Sequence, residues 1–179
     1  MSLPKEPLPA KLIIRFLFTD TAVQAEVLRR LEKLFGPMEY LSGIALFPYT
    51  TYYDREMGLG LRRQTAAYLE PIAQDTLADV KLRTNELEEE FSSNGNRRVN
   101  IDPGILSQER LVLATGKNFT HRIYLRDGIY GDLTLMYQKG AYRPLPWTYP
   151  DYQEPGFIHL LSVLRRILRF ERDGALPLN

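Results

Sequence analysis

The segment HRIYLRDGIYGDLTLMY, residues 121–137, constrains the fold most strongly because it predicts a β-hairpin. Two strand-like runs flank Asp127-Gly128, a dipeptide that favours the two-residue type I′ turn between antiparallel strands. We therefore expect these residues to enter the sheet of the protein as two adjacent strands.

The N-terminal half of the chain predicts a ferredoxin-like unit within an α+β fold. Residues 11–18 predict a strand that is buried on both faces, because apolar residues occupy both. The first helix follows, with Thr21 and Gln24 as a capping-box pair and Gly36-Pro37 at its end. The resulting order of strand, helix, strand, strand, helix, strand is the ferredoxin-like βαββαβ pattern. The other predicted elements are strands at 40–47, 61–72 and 97–101 and a helix at 75–91.

The C-terminal half extends this unit by the hairpin and a C-terminal amphipathic helix. Residues 102–104, Asp-Pro-Gly, predict a type II turn. Residues 107–115 fit either a strand or a short helix, and we favour the helix. The proline-rich stretch PLPWTYPDY at 144–152 cannot form an ordinary central strand, because three prolines remove backbone donors. The final helix at 157–169 has its leucines on one face.

Composition limits the classes of protein to which the chain can belong. Its 179 residues suggest an extended N-terminal arm at 1–10 and a single α+β domain at 11–179. Cysteine is absent, which excludes disulfides and suits a cytoplasmic protein. The net charge of +1 makes a nucleic-acid partner unlikely on charge alone, and no apolar run is long enough to span a membrane. The oligomeric state stays open.

Pairing across the hairpin predicts a candidate catalytic pair. Counting back from the turn, Ile123 opposes Asp132, so His121 and Asp132 share one face while Arg122 lies on the other. His121 would then act as a general acid or base, and Asp132 would orient its ring. The alternative is that His121 is a structural residue whose hydrogen bonds are satisfied within the fold.

A second set of polar residues surrounds the end of the strand at 97–101. Asn100 and Asp102 lie two positions apart, so they point the same way if the strand continues. Cationic side chains can clamp a phosphate or carboxylate, and aromatic ones can form a wall. The alternative is that these groups cap a turn or pack over the sheet. The candidate ligand-binding residues are Asn100, Asp102, Lys117, Arg122, Trp147 and Tyr149.

Several standard motifs are missing from the sequence. It contains no Walker phosphate loop, no dinucleotide-binding glycine pattern, no nucleophile elbow and no RNP1 motif. Its two histidines show no spacing typical of a metal site. These observations argue against a standard GTPase, a dinucleotide enzyme and an RRM-type RNA binder. The sequence points to no particular cofactor and to no metal.

Six segments of the sequence resemble a known protein family. They are TTYYDREMG, KLRTNELEEEF, RRVNIDPG, LVLATGKNFTHRIYL, GIYGDLTL and LPWTYPDY. In this order they resemble the uncharacterised bacterial family of domain of unknown function 4416, over nearly the whole chain. Some members carry an automatic GTP-binding label, which the missing phosphate loop does not support. The corresponding segment of the family has a glutamate at the position of Asp132. Aspartate keeps the negative charge but has a shorter side chain.

The leading hypothesis is a cytosolic binder of a small anionic molecule, such as a nucleotide, a sugar phosphate or a carboxylate. An enzyme that uses His121 as its acid or base is an extension of this hypothesis. The rival is a non-catalytic module for protein or RNA partners, which would use exposed tyrosines and the arginines of the last helix. A pocket that joins His121, Asp132 and Asp102 favours the first hypothesis.

Overall fold

The computed structural model describes residues 1–174, and within them nine strands form one sheet. Residues 175–179 of the predicted domain lie outside the described part of the chain. The strands are β1 Lys11–Phe18, β2 Met38–Leu41, β3 Ala45–Leu46, β4 Arg62–Tyr68, β5 Val99–Leu106, β6 Arg110–Thr115, β7 Arg122–Arg126, β8 Ile129–Gln138 and β9 Ala141–Pro144. The helices are α1 Thr21–Phe35, α2 Asp54–Met57, α3 Leu77–Glu90 and α4 Pro155–Asp173, with 3₁₀ turns at Gln74–Thr76 and Pro150–Gln153.

The strand order in the sheet is β2-β4-β1-β5-β6-β8-β7, with β3 beside β4 and β9 beside β8. All of the strand pairs are antiparallel. Every residue of the central strand β1 is buried, as its two apolar faces predicted. Leu12, Ile14 and Phe16 pack against α1 and α3, whereas Ile13 packs on the opposite face against α4. The protein is therefore a mixed α and β structure with helices on both faces of one sheet.

Helix α1 forms where the sequence predicted it, but its cap differs. The side chain of Asp20 accepts a hydrogen bond from the backbone N–H of Ala22 at 2.8 Å, so Asp20 and not Thr21 caps the helix. Gln24 is not part of a capping box, because it is buried and donates to Gln64 of β4 at 2.7 Å. Gly36 ends the helix with φ of 88°, as predicted.

Two predictions for the middle of the chain are wrong. Residues 107–115 do not form a helix, because 110–115 form strand β6 between β5 and β8. Leu111 and Leu113 of this strand join the core under α4, which only an extended chain allows. Residues 102–104 are not a turn either, because they continue β5 beside β1.

Helix α4 is longer than predicted and covers the sheet through one apolar stripe. Its buried residues are Phe157, Leu161, Leu164 and Leu168. The proline-rich stretch before it starts in β9, which pairs with β8, and ends in the second 3₁₀ turn. Within residues 1–174, none of the helices combines the length and apolar character that a membrane crossing requires.

Gly104 allows β5 and β6 to approach each other closely. A Cβ atom at this position would lie 2.6 Å from Cδ2 of Leu113 and 2.8 Å from the backbone oxygen of Val112. We expect Gly104→Ala to lower the free energy of unfolding by about 1–3 kcal/mol, as overpacking does, in urea denaturation. Gly43→Ala is the control, since no atom lies within 4 Å of its Cβ. Equal stability of the two variants would contradict this role of Gly104.

Candidate ligand-binding cleft

A cleft of about 670 Å³ opens on the α4 side of the sheet. Its walls include a tyrosine-rich loop at 49–53, the end of β6 with the following residues, and the segment 149–152. Six of the predicted site residues line this one cleft, although they come from distant parts of the sequence. They are Asn100, Asp102, Lys117, Arg122, Asp132 and Tyr149, whereas His121 and Trp147 are not among the lining residues.

Strands β1, β4 and β5 form the floor of the cleft. Arg15 of β1 stands directly opposite Asp102 of β5, and Leu17 stands between Arg63 of β4 and Asn100 of β5. Paired and alternate residues share a face of the sheet, so all of these side chains lie on the same side. The floor therefore combines two guanidinium groups, a carboxylate and an amide in a small area.

Arg15 connects the floor of the cleft to the segment that precedes α4. Its side chain is only 4% exposed, and Nη1 lies 3.1 Å from Oδ2 of Asp151. The same nitrogen donates to the backbone oxygen of Asp151 at 3.2 Å. Its guanidinium carbon lies 4.3 Å from the ring centres of both Tyr152 and Phe157, which is cation–π distance. The buried charge is thus held by a carboxylate and two aromatic rings.

Two buried donors at the floor have no hydrogen-bond acceptor within residues 1–174. They are Nε of Arg15 and Nη1 of Arg63. Arg63 uses its other terminal nitrogen to bind Glu154 at 2.7 Å, and its Nη1 is 4.0 Å from the carboxylate of Asp151. A buried donor without an acceptor costs about 1–3 kcal/mol. An oxygen atom of a bound molecule would remove this cost.

Helix α3 closes a gap in the sheet beside the cleft. Strand β5 pairs with β6 only from Gly104 to Leu106, which leaves the backbone of Ile101 without a partner strand on that side among the described residues. Lys81 of α3 donates to the oxygen of Ile101 at 2.7 Å, and the N–H of Ile101 donates to Glu88 at 2.6 Å. Sequence reasoning missed both residues. Their seven-residue spacing, which puts them on one helix face, was the available signal.

A chain of hydrogen bonds orients Asp102 in the cleft. Arg97 is held by Glu56 at 2.7 and 2.8 Å and donates to Oδ1 of Asn100 at 2.9 Å. The amide nitrogen of Asn100 then donates to Oδ2 of Asp102 at 2.7 Å. Asn100 and Asp102 therefore point the same way, because β5 continues beyond residue 101.

Two carboxyl groups near Asp102 have raised pKa values. Burial raises the pKa of Glu88, and the charge of Asp102 adds to this while Lys81 opposes it. Burial also raises the pKa of Asp151, against the effect of the neighbouring arginines. Perturbed ionisable groups that share a cleft are typical of functional sites. No set of three or more His, Asp or Glu side chains in the described chain is arranged to hold a metal ion.

The hairpin places Arg122 differently from the prediction. Asp127 and Gly128 have positive φ angles of 51° and 77°, as the predicted type I′ turn requires. However, the register shifts between Tyr124 and Arg126, so Arg122 and not Ile123 opposes Asp132. The prediction that Arg122 points away from this carboxylate is therefore wrong, and the reason is a β-bulge.

Asp132 binds two basic residues of the hairpin. Arg122 donates through Nε to Oδ2 at 2.8 Å, and Nε2 of His121 lies 3.2 Å from the same oxygen. Thr134 donates to Oδ1 at 3.2 Å. The predicted contact between His121 and Asp132 is thus present, and Asp132 is 6% exposed.

Trp147 covers the outer side of His121. The two rings are stacked, with centres 4.8 Å apart and planes at 13°. The indole N–H donates to the backbone oxygen of Leu133 at 2.8 Å, and 39% of the residue is exposed. Trp147 is therefore neither a plug in the core nor a wall of the cleft. A catalytic role for His121 stays a prediction.

The stacking predicts that Trp147 reports on His121. We expect His121→Ala to shift the tryptophan emission to longer wavelength and to increase acrylamide quenching, because the alanine leaves one indole face open to water. His159→Ala is the control, since this other histidine is exposed on α4. Unchanged emission in His121→Ala would contradict the stacked arrangement.

The pair of Arg15 and Asp151 should be important for stability. We expect Arg15→Met to lower the free energy of unfolding by about 3 kcal/mol, because it leaves the carboxylate of Asp151 buried with a weaker partner. Urea denaturation measures this loss. Arg29→Ala, in an exposed pair with Glu26, should leave stability unchanged. Similar stability of both variants would show that the buried pair contributes little.

The comparisons with known proteins agree with the resemblance seen in the sequence. The model of the family described as Domain of unknown function (DUF4416) matches residues 8–168. Neither the comparison with curated proteins nor that with solved structures gives a significant match. The matched range contains every residue that lines the cleft. The chain belongs to the DUF4416 family.

Proposed function

We propose that the cleft binds a small molecule through an anionic group, and that Lys117 and Arg122 hold this group. The main support for this proposal is the excess of positive charge at the edge of the cleft that Lys117 and Arg122 form. Arg122 donates through Nη1 to the backbone oxygen of Lys117 at 3.1 Å, which keeps the two cations together. Within the described residues Arg122 pairs with Asp132, while Lys117 forms no ion pair. This edge therefore has one cation in excess.

Lys117 is also placed by an aromatic side chain. Its ammonium group lies 5.0 Å from the ring centre of Tyr52 and 3.4 Å from the hydroxyl of that tyrosine. Both contacts leave the ammonium its positive charge and further donors. The volume of about 670 Å³ lies in the range of small-molecule sites. A ligand the size of a nucleotide or a sugar phosphate is consistent with this volume.

An enzymatic activity is the extension of this proposal. The raised pKa values of Glu88 and Asp151, to both of which the charge of Asp102 contributes, support it, because acid–base catalysis uses such groups. In this version His121 influences a ligand through Asp132, since its own ring lies outside the lining of the cleft. Asp132 would then be the group that faces the ligand, and His121 would position it.

An interaction module is the second candidate function. Its support is β7, an edge strand on which Ile123 is 72% and Tyr124 58% exposed. The arginines of α4, which the sequence suggested as a contact surface, support it less. Arg165 is already engaged, since it donates to the backbone oxygen of Gln108 at 2.8 Å and lies 3.6 Å over the ring of Tyr137.

We also infer that residues 11–106 form a ferredoxin-like unit. The order β2-β4-β1-β5 supports this, because it places the four main strands of this part as a βαββαβ chain would place them. Helices α1 and α3 pack on one face of these strands, which is a second point of agreement. Strands β6 to β9 and α4 are then the extension.

The anion proposal predicts a specific effect of Lys117. We expect at least one compound from a panel of nucleotides, sugar phosphates and carboxylates to raise the melting temperature of the wild type. Lys117→Ala should weaken its binding about tenfold, which corresponds to the loss of one charge-assisted hydrogen bond. Thermal shift with a ligand titration measures both effects, and added salt should reduce them.

Lys33→Ala is the matched control, because Lys33 is exposed at the end of α1 and its loss changes the net charge equally. If no anion stabilises the protein, or if both variants bind equally well, the proposal is wrong. If no compound of the panel raises the melting temperature, the interaction module becomes the favoured function.

A further inference from the structure

We propose that the anion held in the cleft is a hydroxyl-rich molecule of the sugar phosphate class. Its hydroxyl groups bridge Arg15 and Asp102 at the floor, while its phosphate lies at Lys117 and Arg122. This inference rests on the anion binding proposed above and adds the chemistry of the part of the ligand that carries no charge.

The first reason is that two opposite charges face each other without forming an ion pair. Arg15 and Asp102 stand directly across from each other on adjacent strands and on one face. At such positions the Cβ atoms are about 5 Å apart, and opposite charges usually pair. In the described chain they form no ion pair with each other, because Arg15 binds Asp151, while Asp102 accepts from Asn100 and its Oδ1 lies 4.0 Å from Nζ of Lys81. The side chain of Asp102 stays 39% exposed.

The second reason is the orphaned donor beside this carboxylate. Nε of Arg15 is buried and has no acceptor among residues 1–174, and the same is true of Nη1 of Arg63. Asp102 offers acceptors, so the floor presents donors and acceptors side by side. A hydroxyl group suits such a floor, because it can accept from a guanidinium and donate to a carboxylate at once.

The third reason is the charge balance of the floor, which disfavours a second charged group. Four cations at and around the floor face three lining carboxylates and two further ones that bind Arg63 and Arg97. A second anion would meet these carboxylates, and an ammonium group would leave the arginine donors without acceptors. The cations are Arg15, Arg63, Lys81 and Arg97, and the carboxylates are Glu88, Asp102, Asp151, Glu56 and Glu154.

The tyrosines around the floor suit a neutral polyol. Burial raises the pKa values of Tyr53 and Tyr152, and the charge of Asp102 raises both further. Their hydroxyl groups therefore stay protonated, and the ring of Tyr53 offers an apolar surface next to a polar handle, whereas the ring of Tyr152 is covered by Arg15. Both residues line the cleft with Asp102.

Isothermal titration calorimetry can separate this inference from the anion proposal. The probes are ribose 5-phosphate, glucose 6-phosphate and glycerol 3-phosphate, with pentyl and hexyl phosphate as partners that lack hydroxyl groups. We expect the wild type to bind at least one sugar phosphate about tenfold more tightly than either alkyl phosphate, as one to two further hydrogen bonds would produce. This comparison requires no variant and therefore does not depend on the folding of one.

The Asp102→Asn variant tests the residue itself. It should weaken binding of the preferred sugar phosphate about tenfold and leave alkyl phosphate binding unchanged. Asp127→Asn is the control, since it removes the same charge at the exposed hairpin turn. Equal affinity for both kinds of phosphate, or an equal loss of both in Asp102→Asn, overturns the hydroxyl inference while anion binding stands. If none of these phosphates binds but a nucleotide or a carboxylate does, only the hydroxyl inference fails, and if no anion binds, both proposals fail.

Discussion

The buried guanidinium of Arg15 is the interaction on which the cleft depends. It projects from the central strand, and Asp151 together with the rings of Tyr152 and Phe157 encloses it. A cation in this position has to be paired, because an unpaired buried charge is very unfavourable. The pairing draws the proline-rich segment and the start of α4 onto the sheet. The same contact leaves Asp102, the neighbour of Arg15 across the strands, open to the cleft.

The second requirement is a sheet that separates beside the cleft. Where β5 moves away from β6, Lys81 and Glu88 satisfy the backbone of Ile101, so α3 replaces a missing strand. Because α3 takes the place of a strand here, Lys81 and Glu88 bring two charged groups to the cleft. A continuous sheet would have excluded them. The cleft thus combines residues from both faces of the protein. The cleft is polar because charged side chains, and not a further strand, satisfy the backbone hydrogen-bonding groups of β5 at this place.

Prediction from the sequence succeeded where local chemistry decides the structure. The apolar residues of 11–18 gave a strand buried on both faces, and Asp127-Gly128 gave the type I′ turn. Prediction failed for 107–115, because a short apolar run fits a helix and a strand equally well until its neighbours are known. The contact of His121 with Asp132 was predicted from strand pairing, although the observed register is shifted by one residue and His121 makes the contact from the turn before β7. The arrival of Arg122 at the same carboxylate was not, because one extra residue in a bulge reversed its face.

Periodicity, turn residues and the run of prolines therefore predicted most of the strands and helices, though not β6 or the continuation of β5, and they supplied the candidate residues. They could not show that Arg15, Arg63 and Glu88 share a cleft with Asp102. That grouping arises from pairing between strands that are distant in the sequence and from side chains that replace a strand. Such contacts depend on burial and on the satisfaction of backbone hydrogen bonds across the whole fold, which no local pattern of residues encodes.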